Sequence, residues 1–294
     1  MKHFGIPYMG SKDKIVPSLL DRLPAGDRFV DLFGGGFAMS EGAILSGKYK
    51  RVFYNEYNGL LVALIKKAIN GDYNYSRFTP AWITKQEFNE KKETDGYIKY
   101  CWSFGNSGQA YLYGDNIVEY KKMAHDYVIN KVPFWGYKVV GETVKDRRLN
   151  LRRIIQDITG KALNHKGKRL FKNWRHLERL QHLEHLERLE RLERLQHLGI
   201  ELNCGSYEEY HYQDGDVVYC DPPYEGTARY AKSGFDHTGF YDWVYSRPFP
   251  VWFSSYDISD KRFKCVFAIK KTSLLHNNGT KVWEKLYYHD GKGG

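Results

Sequence analysis

The chain has 294 residues, 42% hydrophobic and 16% aromatic, with a formal net charge of +10. That composition excludes a disordered chain and favours a polyanionic partner, nucleic acid ahead of an acidic membrane. Its four cysteines, Cys101, Cys204, Cys220 and Cys265, are too scattered for a zinc ribbon or disulfide framework, no apolar run reaches membrane-spanning length, and the segment from Met1 lacks the apolar core of a secretion signal, so a metal-free protein of a reducing, cytoplasmic setting is expected.

Residues 28–33 predict a buried strand that runs into Gly34-Gly35-Gly36 and then a helix over 38–45, closed by Gly47. A second strand is expected over 51–55 and an amphipathic helix over 59–69. Strand, glycine turn, helix, strand and helix in that order argue for a parallel α/β sheet. The texture changes at Asp72. From there to about Trp174, aromatic and basic residues dominate, and Pro80 and Pro133 interrupt any long helix. An inserted domain over 72–174 is expected. Across 175–199 Leu recurs at every third position from Leu177 to Leu198. A coiled coil needs a mean spacing of about 3.5, whereas at this spacing the stripe on an α-helix slips by about 60° per triplet. An α-helix with a winding stripe and a 3₁₀-like or solenoid element both stay open, and the segment reads as a repeat-bearing connector. Strand texture returns over 200–203, 216–220, 251–254, 265–269 and 282–288, the last two fitting an antiparallel pair at the end of the sheet. The core is therefore discontinuous, 1–71 with 200–294.

The most specific chemical signal is Asp221-Pro222-Pro223-Tyr224, directly after the strand over 216–220. In an open α/β sheet, ligands bind beyond the carboxyl ends of strands. Two prolines fix φ twice and remove two N–H donors, and a residue before proline is held extended. The result is a rigid turn presenting acceptors, the Asp221 carboxylate and the Pro222 carbonyl, beside the flat face of Tyr224. Such a turn suits a planar ring bearing an amino group. Hydrogen bonds from that amine would favour a tetrahedral nitrogen and stabilise its growing positive charge, and a methyl sulfonium held in line completes the displacement. No metal and no covalent nucleophile is required.

Asp221-Pro222-Pro223-Tyr224 resembles the catalytic motif of amino-methyltransferases. The order of parts resembles the Dam-like (D12 class, alpha-group) adenine-N6 DNA methyltransferases, phage or prophage type: cofactor motif first, recognition insert next, this motif last. The resemblance implies a Rossmann-like core, mostly parallel with an antiparallel terminal strand pair, with S-adenosylmethionine as cofactor and double-stranded DNA as partner. The chain would act as a monomer or weak dimer in a bacterial cell or phage-infected host. Pro7-Tyr8-Met9-Gly10-Ser11-Lys12 is similar to an N-terminal cofactor element, which puts Tyr8, Met9 and Gly10 against the cofactor and Lys12 at its carboxylate. Asp31-Leu32-Phe33-Gly34-Gly35-Gly36 is similar to the glycine motif, whose next helix faces the cofactor carboxylate, although the family usually has another glycine where this chain has Phe37. Asn55-Glu56 gives Glu56 to the cofactor ribose, as in dinucleotide folds. Ser206 and Tyr207 stand where the family has an acid and an aromatic that contact the cofactor adenine. Phe235-Asp236-His237 resembles a loop that helps enclose the target base, with His237 structural, since this chemistry needs no strong base.

In the insert, Phe104, Asn106 and Tyr111 with Lys121, Lys122, Arg147 and Arg148 are the expected DNA contacts. Basic side chains take phosphates, and aromatics fill the space left by a flipped-out adenine. Trp102-Ser103-Phe104-Gly105-Asn106 resembles a segment of phage-borne members. Some insert aromatics are expected to form its own core. Cytosine-N4 or RNA-adenine methylation, and a DNA-binding relative without catalysis, are the competing readings. Asp rather than Ser at position 221 favours adenine over cytosine, while Phe37 and Ser206 are the departures that motivate the inactive reading.

Overall fold

The structure is a computed structural model that describes residues 3–162, 179–225, 234–272 and 281–292. The chain divides into two compact units, Met1–Asn70 with Arg194–Gly294, and Gly71–Glu193. In chain order its α-helices are α1 (Val16–Leu20), α2 (Ala38–Ser46), α3 (Gly59–Ile69), α4 (Lys85–Lys91), α5 (Gly96–Cys101), α6 (Val118–His125), α7 (Val144–Ala162), α8 (Gln181–Glu190) and α9 (His237–Tyr245). Among the described residues no helix is long and apolar enough to cross a membrane.

The first unit is built on seven strands: β1 (Arg28–Asp31), β2 (Arg51–Asn55), β3 (Gly199–Asn203), β4 (Asp216–Cys220), β5 (Val251–Ser255), β6 (Lys264–Thr272) and β7 (Lys281–His289). They form one sheet in the order β3-β2-β1-β4-β5-β7-β6. β1 to β5 pair in parallel, and β7 runs antiparallel to both β5 and β6. This is the expected mostly parallel sheet with an antiparallel terminal pair. β1 and β4 are buried at every position, as central parallel strands covered on both faces must be. Their side chains alternate between two cores, as the two-residue repeat of a strand requires. Phe29, Val217 and Tyr219 join Val16, Leu19 and Met39 on one face, while Val30, Val218 and Cys220 join Phe240, Val244 and Phe253 on the other.

The second unit is helical. Its helices are short, α7 excepted, and their ends are fixed by side chains. Thr84 and Glu87 form a reciprocal capping box on α4, and the Asp95 carboxylate accepts from the Ile98 N–H at the start of α5. Periodicity is weak in such short pieces, so their sequence announces aromatic content rather than helix. Tyr97, Tyr100, Trp102 and Tyr113 are buried, which makes them core of this unit. The leucine repeat resolves in a way that combines the open alternatives. Its positions before Arg179 lie outside the described residues. Gln181–Glu190 is α-helical, and the chain then tightens to a 3₁₀ helix over Arg191–Leu195. Over Leu183, Leu186 and Leu189 the α-helical stripe slips by about 120°, and from Leu192 to Leu195 the three-residue turn keeps it in line. Leu180, Leu183, Leu186, Leu189, Leu192 and Leu195 are all fully buried.

Candidate active site

β1 and β4 are parallel neighbours from which the sheet grows in opposite directions, so their carboxyl ends flank its switch point. Asp31 is the last residue of β1, and Asp221 follows the last residue of β4. The two sequence motifs, 190 residues apart in the chain, are thereby brought to the carboxyl ends of neighbouring strands.

Asp221 belongs to a group of four polar side chains, with Lys12, Tyr224 and Glu284. The Lys12 ammonium lies 2.6 Å from Asp221 Oδ1 and 2.9 Å from Glu284 Oε1. It also donates to the Tyr224 hydroxyl and sits 4.9 Å from the centre of that ring. The Tyr224 hydroxyl lies 2.8 Å from Asp221 Oδ1 and contacts Glu284 Oε1. Lys12 and Glu284 are buried, while the Asp221 side chain keeps 21% of its surface exposed. Burial opposes the Lys12 charge, but the two carboxylates outweigh it and raise its pKa above the usual lysine range. Burial raises the Asp221 pKa; Lys12 opposes that rise and Glu284 adds to it. Burial also lifts the Tyr224 phenol well above its ordinary value. Across the same turn, the His237 ring lies 2.9 Å from the Pro223 carbonyl and so braces the motif from α9.

Lys12 therefore does not fit the role of holding a cofactor carboxylate, because its donors are directed at Asp221, Glu284 and Tyr224. Glu284 was not a candidate at all. It sits on β7, with the same parity as the buried Leu286. An acid on the inward face of a predicted strand is the signal by which the sequence offers it.

The glycine turn forms a second cluster. Gly34 packs so tightly that a Cβ there would lie 2.0 Å from the Tyr54 ring, and one on Gly36 would lie 2.5 Å from Tyr8 Cβ. The Gly35 N–H donates to Glu56 Oε2 at 2.9 Å, and its carbonyl accepts from the Tyr54 hydroxyl at 2.9 Å. Glu56 Oε1 accepts from the Asn58 N–H at the start of α3, also at 2.9 Å. Burial raises the Glu56 pKa, against these backbone donors. Phe37, where a further glycine was expected, adopts φ 69° and heads α2 in the left-handed region. Its ring is fully buried against Tyr54, with centroids 5.3 Å apart. Asp31 is 1% exposed and its Oδ2 accepts from the Ser40 hydroxyl at 2.7 Å. Its Oδ1 is buried and accepts no hydrogen bond from the described residues. Burial pushes the Asp31 pKa up to about 7, with Ser40 opposing and Asp221 and Glu56 adding to the rise.

Tyr8 and Met9 are half-buried and Gly10 is exposed at φ 82°. Tyr207 stacks on Phe33 with centroids 5.0 Å apart, and Ser206 spends its hydroxyl capping the short 3₁₀ turn Tyr207–Glu209. Among the described residues no group of His, Cys, Asp and Glu could hold a metal ion.

In the second unit the expected DNA contacts divide. Phe104 is 70% exposed, on a turn whose Gly105 and Asn106 both have positive φ. Asn106 donates to the Tyr100 carbonyl at 3.0 Å. Tyr111 is half-buried and donates to the Ile83 carbonyl at 2.6 Å, which makes it a brace within the unit. Lys121 and Arg147 must be corrected. Lys121 is buried and donates to the Arg179 carbonyl at 2.6 Å, and Arg147 is buried with its guanidinium on the carbonyls of Val128, Gly141 and Glu142. Neither can meet a phosphate without leaving its backbone partners. Arg148 pairs with Glu187 and Glu184, and Lys122 is exposed beside Asp126.

Compared with known families, residues 8–244 match the family model described as D12 class N6 adenine-specific DNA methyltransferase. No curated protein matches the chain.

Proposed function

The chain belongs to the D12 class N6 adenine-specific DNA methyltransferases, whose reaction is S-adenosylmethionine-dependent methylation of adenine N6 in DNA, and on that premise we propose how its own residues carry the reaction out. The observation that carries the reading is the Asp221 carboxylate, held between Lys12 and Tyr224 at the end of β4 with part of its surface open. It accepts one N–H of the target amine, and the Pro222 carbonyl accepts the other. Both bonds strengthen as the nitrogen becomes positive, which is where preorganised acceptors lower a barrier. The adenine reaches this turn by leaving the duplex stack, since an N6 inside a helix cannot meet a buried motif.

The residues at the switch point fit S-adenosylmethionine. The Asp31 Oδ1 acceptor suits its ammonium group, and the close-packed Gly34 to Gly36 turn leaves backbone rather than side chain to meet it. Glu56 faces the ribose, Tyr8 with Met9 and Gly10 covers one side, and Phe33 with Ser206 and Tyr207 lines the adenine side. Bound there, the cofactor supplies an electrophilic methyl group on a sulfonium. The order of cofactor motif, insert and catalytic turn supports a Dam-like, alpha-group arrangement of phage type, acting in the cytoplasm of a bacterial cell or infected host. The unit Gly71–Glu193 is the proposed recognition domain, with Phe104, Asn106 and Lys122 toward double-stranded DNA and Arg148 released from its glutamates on binding.

The test is to incubate the protein with unmethylated DNA and S-adenosylmethionine and to analyse the digested nucleosides by mass spectrometry. N6-methyladenine is expected. N4-methylcytosine, or no product on DNA, would overturn the reading. Asp221→Ala is expected to abolish product while leaving cofactor affinity nearly unchanged.

A further inference from the structure

The four side chains at Asp221 are short of one proton. Lys12 brings three N–H donors and Tyr224 one O–H, four in all. The contacts among the four groups number five: Lys12 to Asp221, to Glu284 and to Tyr224, and Tyr224 to Asp221 and to Glu284. With both carboxylates ionised, one of these contacts sets oxygen against oxygen with no hydrogen between them. A single added proton on either acid turns that contact into a hydrogen bond. The group also carries one positive and two negative charges, so one proton brings it to neutrality.

Amine methylation releases one proton. We propose that this quartet is the acceptor of that proton, taken up at Asp221 and stored on Glu284. The inference rests on the functional reading above, but Glu284 itself lies beyond the residues matched by the family model. The amine lone pair bonds the methyl carbon while the sulfur–carbon pair stays with sulfur, and the nitrogen becomes positive. Its N–H proton passes to the Asp221 carboxylate. Asp221 then hands a proton to the Tyr224 oxygen as the phenol gives its own to Glu284. Asp221 returns to its anionic form, Glu284 is neutral, and every contact holds a hydrogen. The proton leaves to solvent after the methylated base departs. Glu284 is fully buried and touches no substrate, so it is a positioning residue that acts through Tyr224 and Lys12. The groups facing it and Asp221 are Lys12 ahead of α1, Asp31 on β1, Tyr219 on β4 and Tyr224 after β4, with the Tyr256 ring against Tyr224.

The experiment is Glu284→Gln, followed by single-turnover methylation against pH. Wild type should be active above the quartet's titration and lose rate as pH falls through it, because the vacancy is then already filled. In E284Q the plateau should fall by at least about tenfold, and the acid limb should move down by about one pH unit, since the neighbouring charge that raises Asp221 is gone. E284D should keep a limb near the wild-type position. A wild-type plateau and limb in E284Q would overturn the proposal. Two measurements do not depend on a folded variant or on turnover by it. Stopped-flow indicator traces of wild type should show bulk proton release lagging behind methyl transfer, and release in step with transfer would overturn it. Infrared titration of the protein alone should show a buried carboxylic-acid band that E284Q or E284D alters, and its absence in wild type would overturn it. A wild type that makes no N6-methyladenine would instead defeat the functional reading, leaving the infrared result to judge the shared proton.

Discussion

The Lys12 ammonium and the Asp221 carboxylate, 209 positions apart in the chain, meet at 2.6 Å at the Asp221-Pro222-Pro223-Tyr224 turn. The pair joins the N-terminal element to the end of β4, and of the two carboxylates that Lys12 meets among the described residues, Asp221 has the partly exposed side chain and Glu284 the buried one.

Replacing that ammonium is therefore expected to harm stability and activity together. Lys12→Met leaves two carboxylates facing each other without a cation. Removing one partner of a buried ion pair typically costs about 3–5 kcal/mol. Urea unfolding should report a loss of that size, and methylation should fall below detection at neutral pH. A variant with wild-type stability would mean that the pair contributes nothing there.

Phe37 carries two opposed terms. A left-handed non-glycine residue costs about 1–2 kcal/mol, whereas losing a buried phenyl ring costs about 3–5 kcal/mol. Both Phe37→Gly and Phe37→Ala should destabilise the protein. The glycine variant should be the better of the two by about 1 kcal/mol, because only glycine relieves φ 69°. An alanine variant equal to or better than glycine in denaturant titrations would show that the backbone there is not strained.

Asp31 sets a pH dependence. Its pKa is raised from 3.8 to about 7, so the folded state binds the proton more tightly than the unfolded chain. The stabilisation is fully present below the unfolded value and is lost as pH rises through about 7. Asp31→Asn is neutral throughout and lacks this slope. Unfolding free energies of the two proteins should therefore diverge in favour of the variant between pH 4 and pH 7, by an amount on the order of a few kcal/mol. The same variant should bind S-adenosylmethionine more weakly in calorimetry, having lost the acceptor charge for an ammonium. Parallel pH curves would refute the assigned shift.

The corrected basic residues separate fold from DNA contact. Lys122→Ala, at an exposed position, should weaken DNA binding and reduce the slope of log affinity against log salt by about 1. Lys121→Met and Arg147→Met should instead lower the melting temperature, because the first removes the donor to the Arg179 carbonyl and the second the donors to the Val128, Gly141 and Glu142 carbonyls, of which the bond to Val128 is buried. If Lys121→Met left stability intact and lowered DNA affinity, the buried assignment would be wrong.

By itself the sequence determined the mostly parallel core, with the glycine turn after β1 and the Asp221-Pro222-Pro223-Tyr224 turn after β4 as its landmarks. These are local signals: hydrophobic strand runs, glycines where backbone must pass close, and prolines that leave a turn few conformations. The leucine triplets announced a helical element but not its form: the chain is α-helical over Gln181–Glu190 and 3₁₀ over Arg191–Leu195, with leucines fully buried in both stretches. Tertiary structure alone decided the charges. Lys12 reads as a surface lysine or a cofactor ligand until the sheet order carries β7 next to β5 and brings Glu284 beside it. Lys121 and Arg147 look like phosphate contacts until their burial shows backbone carbonyls taking their donors. A charged side chain acquires its role from what lies within a few ångströms of it, and that neighbourhood is assembled from segments that only the fold brings together.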